Sequence, residues 1–208
     1  MENLVENISK SVAIELLFEE MPTRPTANAI FREARKIFGD INIINRDEND
    51  IEFSVDKFVA YNEDNTTSPV VLAMGNITDF DDKVAVSEFE RTQIWNVVNS
   101  EELLSKYKYA VKIWDVNAQR QIPKERAIML VDWLNVALKL YPKCQAIWIK
   151  SAGKLQLAQS IKNLKETGIV KYLYSMVNIR FFNVPNTNEF IVDSVGLANI
   201  GLSDVQFH

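Results

Sequence analysis

The amino-acid sequence predicts a single α+β domain: a mixed β-sheet, built from an N-terminal strand-helix-meander and a later strand-helix-strand unit, with helices packed on it. Period-two alternation of apolar residues recurs over residues 40–61, and helical spacing recurs over 27–38 and 127–141. Hydrophobic residues make up 47% of the 208-residue chain, and no linker or internal repeat divides it. We therefore predict one domain over residues 9–208, and only residues 1–8 are candidates for disorder.

The first half of the chain predicts a strand, a helix and a meander. Residues 11–19 form a short apolar run that is typical of a buried strand. The next segment predicts a helix with Thr23 as its cap, Pro25 in its first turn and Gly39 at its end. Polar turns then separate three predicted strands. These strands are expected at residues 40–45, 50–61 and 70–74.

The second half predicts short helices and then the strand-helix-strand unit. Within residues 79–107, Ser87 and Glu90 have the spacing of a capping box, and a second helix is expected with Asn99 or Ser100 as its cap. The two strands of the strand-helix-strand unit are expected to run parallel and to be connected by a right-handed crossover. The remaining predicted elements are a strand at 109–116, a helix at 123–141, a strand at 145–149, helices within 155–177 broken near Gly168, and strands at 179–184 and 189–195.

Composition excludes several classes of protein. The formal net charge of −5 argues against nucleic-acid binding, which needs Lys and Arg to replace phosphate counterions. No run of 18 apolar residues occurs, and acidic residues stand where a signal peptide would have basic ones, so we expect neither a membrane span nor secretion. The single cysteine, Cys144, excludes an intrachain disulfide, and a reducing, cytoplasmic location is expected.

The chain lacks the side chains that common catalytic and cofactor sites need. Its only histidine is His208, the last residue, so a folded pocket has almost no imidazole base. The six glycines are isolated, and Gly153-Lys154 lacks the rest of a phosphate-binding loop. Asp79, Asp81 and Asp82 lack the spacing of a calcium loop and are expected in a solvated loop that also caps a helix. We therefore predict no cofactor and no metal site.

A few aromatic and charged residues are candidates for binding. Trp95 and Trp133 are each expected on a helix, where one face must meet water, whereas the other two tryptophans are expected in core strands. Arg180 and Asp193 are candidates to face a cleft shared with Arg126, although charged pairs are more often surface neighbours. The complete candidate set is Trp95, Trp133, Arg126, Lys150, Arg180 and Asp193.

The closing segments of the chain have a distinctive sequence. Residues 179–183 (IRFFN), 193–198 (DSVGLA) and 200–206 (IGLSDVQ), with Ala146-Ile147-Trp148 before them, resemble the bacterial family catalogued as domain of unknown function 4261. The resemblance extends over about residues 12–207 and implies kinship without implying catalytic residues. Members of that family tend to have an aromatic cluster in the middle helix, where this chain has only Trp95. Independently of family, the tail is expected to pack as a structural latch after the last strand.

Three functional hypotheses follow from these observations. The leading one is a non-enzymatic, cytosolic protein-interaction module, of which an immunity-type or escort protein would be one form. The second is a hydrolase or transferase that uses carboxylates with Arg or Lys, and the third is a protein that binds a small ligand in an apolar pocket near Trp95 and Trp133. A deep pocket with convergent carboxylates would favour the enzyme, and a large apolar patch would favour a protein partner. The enzyme's candidate participants are Asp115, Arg126, Lys150 and Asp193.

Overall fold

A seven-stranded sheet forms the centre of the fold. The computed structural model describes residues 11–47 and 49–208, so the predicted disorder of residues 1–8 lies outside the described residues. In chain order the strands are β1 (Ala13–Phe18), β2 (Ile41–Arg46), β3 (Ile51–Tyr61), β4 (Thr67–Asp79), β5 (Tyr109–Val116), β6 (Ala146–Ile149) and β7 (Lys154–Leu157). Across the sheet they follow the order β2-β3-β4-β5-β1-β6-β7.

All the neighbouring strand pairs described in this sheet are antiparallel, which corrects the prediction of a mixed sheet. The β5 and β6 strands do run parallel to each other, as the strand-helix-strand pattern predicted, but β1 lies between them. Leu16 of β1 is in register with Val111 of β5 on one side and with Ile147 of β6 on the other. Because β1 lies between β5 and β6, both ladders here are antiparallel although β5 and β6 run in the same direction.

Helices cover both faces of the sheet. They are α1 (Ala27–Phe38), α2 (Asp82–Ala85), α3 (Glu88–Thr92), α4 (Ser100–Lys106), α5 (Pro123–Leu140), α6 (Ala158–Asn163) and α7 (Gly168–Met176). On one face, Ile30 of α1, Leu134 of α5 and Tyr172 of α7 lie in the larger core cluster. On the other face, Leu104 of α4 lies with Trp148 of β6 in a smaller cluster. Among the described residues, no helix is both long enough and apolar enough to cross a membrane.

Several local predictions are confirmed. Gly39 ends α1 with a φ of 79°, in the left-handed region that favours glycine. Ser87 and Glu90 form the predicted capping box at α3, and the long helix begins at Pro123. Asp81 caps α2 by accepting a hydrogen bond from the backbone N–H of Lys83. The single-domain α+β prediction thus holds at the level of most elements.

Other local predictions are wrong. The cap of α1 is Thr26 and not Thr23, because the Thr26 hydroxyl accepts from the Ala29 N–H and Pro25 precedes the helix. Residues 155–157, expected within the helical stretch 155–177, instead belong to strand β7, which pairs with β6. Trp95 lies in an irregular segment between α3 and α4 and not on a helix, since α3 ends at Thr92. Short polar helices such as α3 do not extend far enough to include it.

A second, three-stranded sheet completes the fold. Its strands are β8 (Asn178–Asn183), β9 (Phe190–Val195) and β10 (Gln206–Phe207), in the order β10-β9-β8. The Asp204 carboxylate holds the tail by accepting from the Leu197 N–H at 3.0 Å and from the Ser194 hydroxyl at 3.1 Å. The tail that was predicted to pack as a latch packs into the core only in part, because Ile200 is buried but Phe207 is 66% exposed. The three-stranded sheet therefore presents apolar side chains to solvent.

Candidate functional site

An apolar groove of about 630 Å³ lies between α7 and one face of the three-stranded sheet. Its wall on the helix side is formed by exposed α7 residues, and its other wall comes from β8, β9 and the tail. Nine of its twelve lining residues are aliphatic or aromatic, the other three are Lys154, Asp193 and Ser194, and its volume is in the range of ligand pockets. We call it the apolar groove; its lining includes Val170, Leu173, Tyr174, Val177, Ile179, Val192, Leu197, Val205, Phe207 and Lys154.

The helix wall exists because α7 is apolar on two sides. Tyr172 and Met176 face the larger core, and the Tyr172 hydroxyl donates to the Gly196 carbonyl at 2.8 Å. Val170 lies one turn before Leu173 and Tyr174, and the three residues share the side that faces solvent, where Tyr174 is 59% exposed. A helix needs only one apolar stripe to pack on a sheet. The second stripe, formed by Val170, Leu173 and Tyr174, is therefore not needed for packing on the sheet and is partly exposed.

The sheet wall follows from strand alternation. In the β8–β9 register, Phe181 faces Val192, and Val192 also pairs with Phe207 of β10. Ile179 lies two residues from Phe181 on β8 and so shares its face, because successive side chains point to opposite faces of a strand. Phe190 stacks on Phe181 with ring centroids 5.1 Å apart. This face is continuous, apolar and only partly covered.

A neighbouring recess of about 350 Å³ extends the groove toward Trp95. It shares Lys154, Ile179 and Val192 with the apolar groove, so the two form one connected surface. Trp95 is 53% exposed and meets Phe181 edge to face at a centroid distance of 5.4 Å. We call this recess the Trp95 extension.

Lys154 is the charged side chain that lines both the apolar groove and the Trp95 extension. It is only 9% exposed, and its Nζ donates to the Val177 carbonyl at 2.8 Å. Burial lowers the pKa of Lys154, because water can no longer fully solvate the ammonium group. No salt bridge joins Lys154 to any carboxylate in residues 11–47 and 49–208.

The opposite face of the three-stranded sheet has the charged residues Arg180 and Asp193, and we call it the polar face. Arg180 donates from Nε to Oδ1 of Asp193 at 2.8 Å and from Nη2 to Oδ2 of the same carboxylate. That hydrogen-bonded pair raises the pKa of Arg180. The guanidinium also lies 5.3 Å from the ring centre of Phe182, which stacks on Phe89. A recess of about 340 Å³ on this side contains both Arg180 and Lys150.

The predicted site residues fall into two separate places. Trp95, Lys150, Arg180 and Asp193 surround the three-stranded sheet, although on different faces of it. Arg126 lies in the interior, where it pairs with Asp115, so it does not share a cleft with Arg180 and Asp193.

Trp133 lies in the core and not on the water-facing side of its helix, which corrects the expectation from the helical wheel. It is fully buried, its Nε1–H donates to the Ala73 carbonyl at 3.2 Å, and its ring meets Phe53 edge to face at 5.3 Å. Trp133 and Trp95 therefore do not line one pocket. The sheet, α1 and α7 surround α5, and Trp133 fills the space between α5 and the sheet.

Sequence reasoning missed Lys154 and Leu173 as site residues. In the sequence, Gly153-Lys154 stands out as an incomplete phosphate-binding loop, whereas the structure places Lys154 at the start of β7. The apolar residues of α7 at 169, 170, 172, 173, 174 and 176 surround the whole helix. That all-round pattern is the signal that could have indicated a second, unpartnered side.

Comparison of the chain with known protein families, with curated proteins and with solved structures found no match. The resemblance of about residues 12–207 to the domain of unknown function 4261 therefore stays a prediction from sequence.

Proposed function

We propose that this chain is a non-enzymatic interaction module that binds an apolar segment of a partner protein in the apolar groove and the Trp95 extension. The observation that supports this most directly is the continuity of partly exposed aromatic and aliphatic residues across α7 and the three-stranded sheet. Contiguous apolar surface of this kind is costly in water and marks interaction sites on soluble domains. Aromatic residues are also enriched at the centres of protein interfaces.

The breadth of this surface favours a protein partner over a small ligand. Trp95, Tyr174 and Phe207 are each more than half exposed and stand around the rim of the groove. A small molecule seated within the groove would leave such rim residues in water, whereas a protein segment with its flanking surface would cover them.

The charged residues support binding over catalysis. Asp115 is paired with Arg126 in the interior, and Asp193 is paired with Arg180 on the polar face of the three-stranded sheet. Catalytic carboxylates work as pairs whose environments differ within one accessible cleft. Here the two candidate carboxylates lie apart, and each already has a cationic partner.

Three further proposals concern the location of the protein, its family and its class of partner. We propose a cytosolic location, because the one cysteine, Cys144, is buried with its thiol near the Ala146 carbonyl and forms no disulfide. We propose kinship with the bacterial domain of unknown function 4261 on the closing segments described above. We propose no nucleic-acid partner, since the net charge is −5.

The experiment compares three baits in capture from native-host lysate: the wild-type chain, Leu173→Asp and Val84→Asp. Leu173 lines the apolar groove, whereas Val84 is a 79% exposed valine on α2 that lines neither the groove nor its extension. We expect at least one protein to be retained by the wild type and by Val84→Asp and to fall at least tenfold with Leu173→Asp. The same protein should bind the purified wild-type chain directly.

Retention of the same proteins by all three baits would contradict the proposal. Circular dichroism and thermal unfolding of each bait are the check that Leu173→Asp is folded. Tyr174→Asp, at a more exposed position in the same wall, provides a second groove variant.

A further inference from the structure

We propose that the partner segment has an acidic side chain that pairs with Lys154, with apolar side chains on both sides of that acid. This inference rests on the proposed function and specifies the chemistry of the partner. It follows from where Lys154 lies and from what surrounds its ammonium group.

The position of Lys154 is set by the backbone before it. Gly153 adopts a φ of 57°, in the left-handed region, and ends the short 3₁₀ turn at Lys150–Ala152. β7 then begins at Lys154 and pairs with β6. Lys154 is thus the first residue of the edge strand of the larger sheet, and it is nine-tenths buried there.

The ammonium group has hydrogen-bonding capacity left over. Lys154 has three N–H donors, and the hydrogen bond described for it goes to the Val177 carbonyl. Asp193 also lines the apolar groove, but its carboxylate is held by Arg180 on the other face of the sheet. A buried cation without a carboxylate partner is unfavourable. The described part of the chain thus contains a site for an anion that it does not itself fill.

Charge complementarity therefore selects an anionic partner. A carboxylate that reaches Lys154 on binding would make a charge-assisted hydrogen bond in a partly desolvated site. Its negative charge would favour the ammonium form and so oppose the lowering of the Lys154 pKa that burial causes.

The position of Lys154 between two apolar recesses specifies the order of side chains. Leu173 and Phe207 line the apolar groove, Phe181 lines the Trp95 extension, and Lys154 lines both. A segment that fills both recesses has apolar side chains on each side of the acid. A segment with its acid at one end would leave one recess empty.

The test is selection of random 12-residue peptides, displayed on phage, on the folded full-length chain, with counter-selection on Leu173→Asp. We expect the enriched peptides to share an Asp or Glu flanked on both sides by apolar residues. A synthetic peptide from that set should lose affinity at least tenfold when its acid is changed to the amide. It should lose a similar factor when the protein has Lys154→Gln, and the two losses should not add.

Two further variants control the result. Lys150→Gln removes a nearby positive charge on the polar face and should leave binding unchanged. Lys154→Arg keeps the charge and should keep most of the affinity, which separates loss of charge from loss of fold. Circular dichroism confirms folding of each variant.

The outcomes distinguish the two proposals. Peptides that need Leu173 but have no acid, or that bind Lys154→Gln as tightly as wild type, would overturn the pairing with Lys154 and leave the groove as the site. Selection of no peptide that depends on Leu173 would overturn the proposed function itself. Groove-dependent binding of dodecanoate without any such peptide would also overturn it, in favour of a small amphiphile.

Discussion

Replacing Arg126 by methionine is expected to destabilise the fold severely. Its Nε and Nη2 each lie 2.9 Å from Oδ2 of Asp115, and the two side chains are 1% and 0% exposed. At that distance and an effective dielectric constant of ~20, the attraction is about 6 kcal/mol. Burial raises the pKa of Asp115, against the effect of Arg126. Removing the guanidinium leaves a buried acid uncompensated, at a cost of about 3–5 kcal/mol.

The assay is urea unfolding at pH 7, followed by tryptophan fluorescence, because Trp133 is fully buried in the same core. Arg120→Met is the matched control: Arg120 pairs with Glu63 at the surface, so its loss should change the free energy of unfolding by less than about 1 kcal/mol. The double variant Asp115→Asn/Arg126→Met should lose about 2 kcal/mol less free energy of unfolding than the two single variants lose together. A loss below ~1 kcal/mol for Arg126→Met, or strict additivity, would refute a structural role for this pair.

Three further predictions concern the tail and the cysteine. Gly196→Ala should cost about 1–3 kcal/mol in urea unfolding, because φ is 121° and a Cβ would lie 2.8 Å from the Met176 carbonyl oxygen; unchanged stability would contradict this. Asp204→Ala should speed hydrogen exchange at the Leu197 N–H, because the Asp204 carboxylate accepts a hydrogen bond from that group; an unchanged exchange rate would contradict this. Burial raises the pKa of Cys144 to about 12, so at pH 8 the folded thiol should react at least ~100-fold more slowly with Ellman's reagent than the unfolded chain; rapid labelling would contradict this.

Local sequence signals predicted the helices and strands that have strong periodicity. The α1 helix has a clear apolar stripe and a terminal Gly39, and the buried positions Ile51, Phe53 and Val55 alternate on β3 as expected. These features depend on residues close together in the chain. The pairing of β1 between β5 and β6 depends on tertiary contacts, and so alternation alone did not predict it. The β7 strand was missed because four residues are too few to separate a strand from a helix.

The candidate site was predicted only in part, for a related reason. Trp95, Arg180 and Asp193 do lie around the three-stranded sheet, but the sequence did not indicate which face each would occupy. Trp133 was expected to meet water, and instead the sheet and neighbouring helices cover α5 on most sides. Lys154 was missed because its importance comes from burial beside residues of α7 and β8, which are distant in sequence.

Hydrogen-deuterium exchange on the complex with a selected peptide tests the central claim most directly. The account predicts that amides of α7 and of β8 to β10 gain protection on binding. It also predicts no change on β2, the strand at the other edge of the larger sheet, where Ile43 and Ile44 are also exposed. Protection confined to β2, with unchanged exchange in α7 and β8, would contradict the assignment of the apolar groove as the binding site.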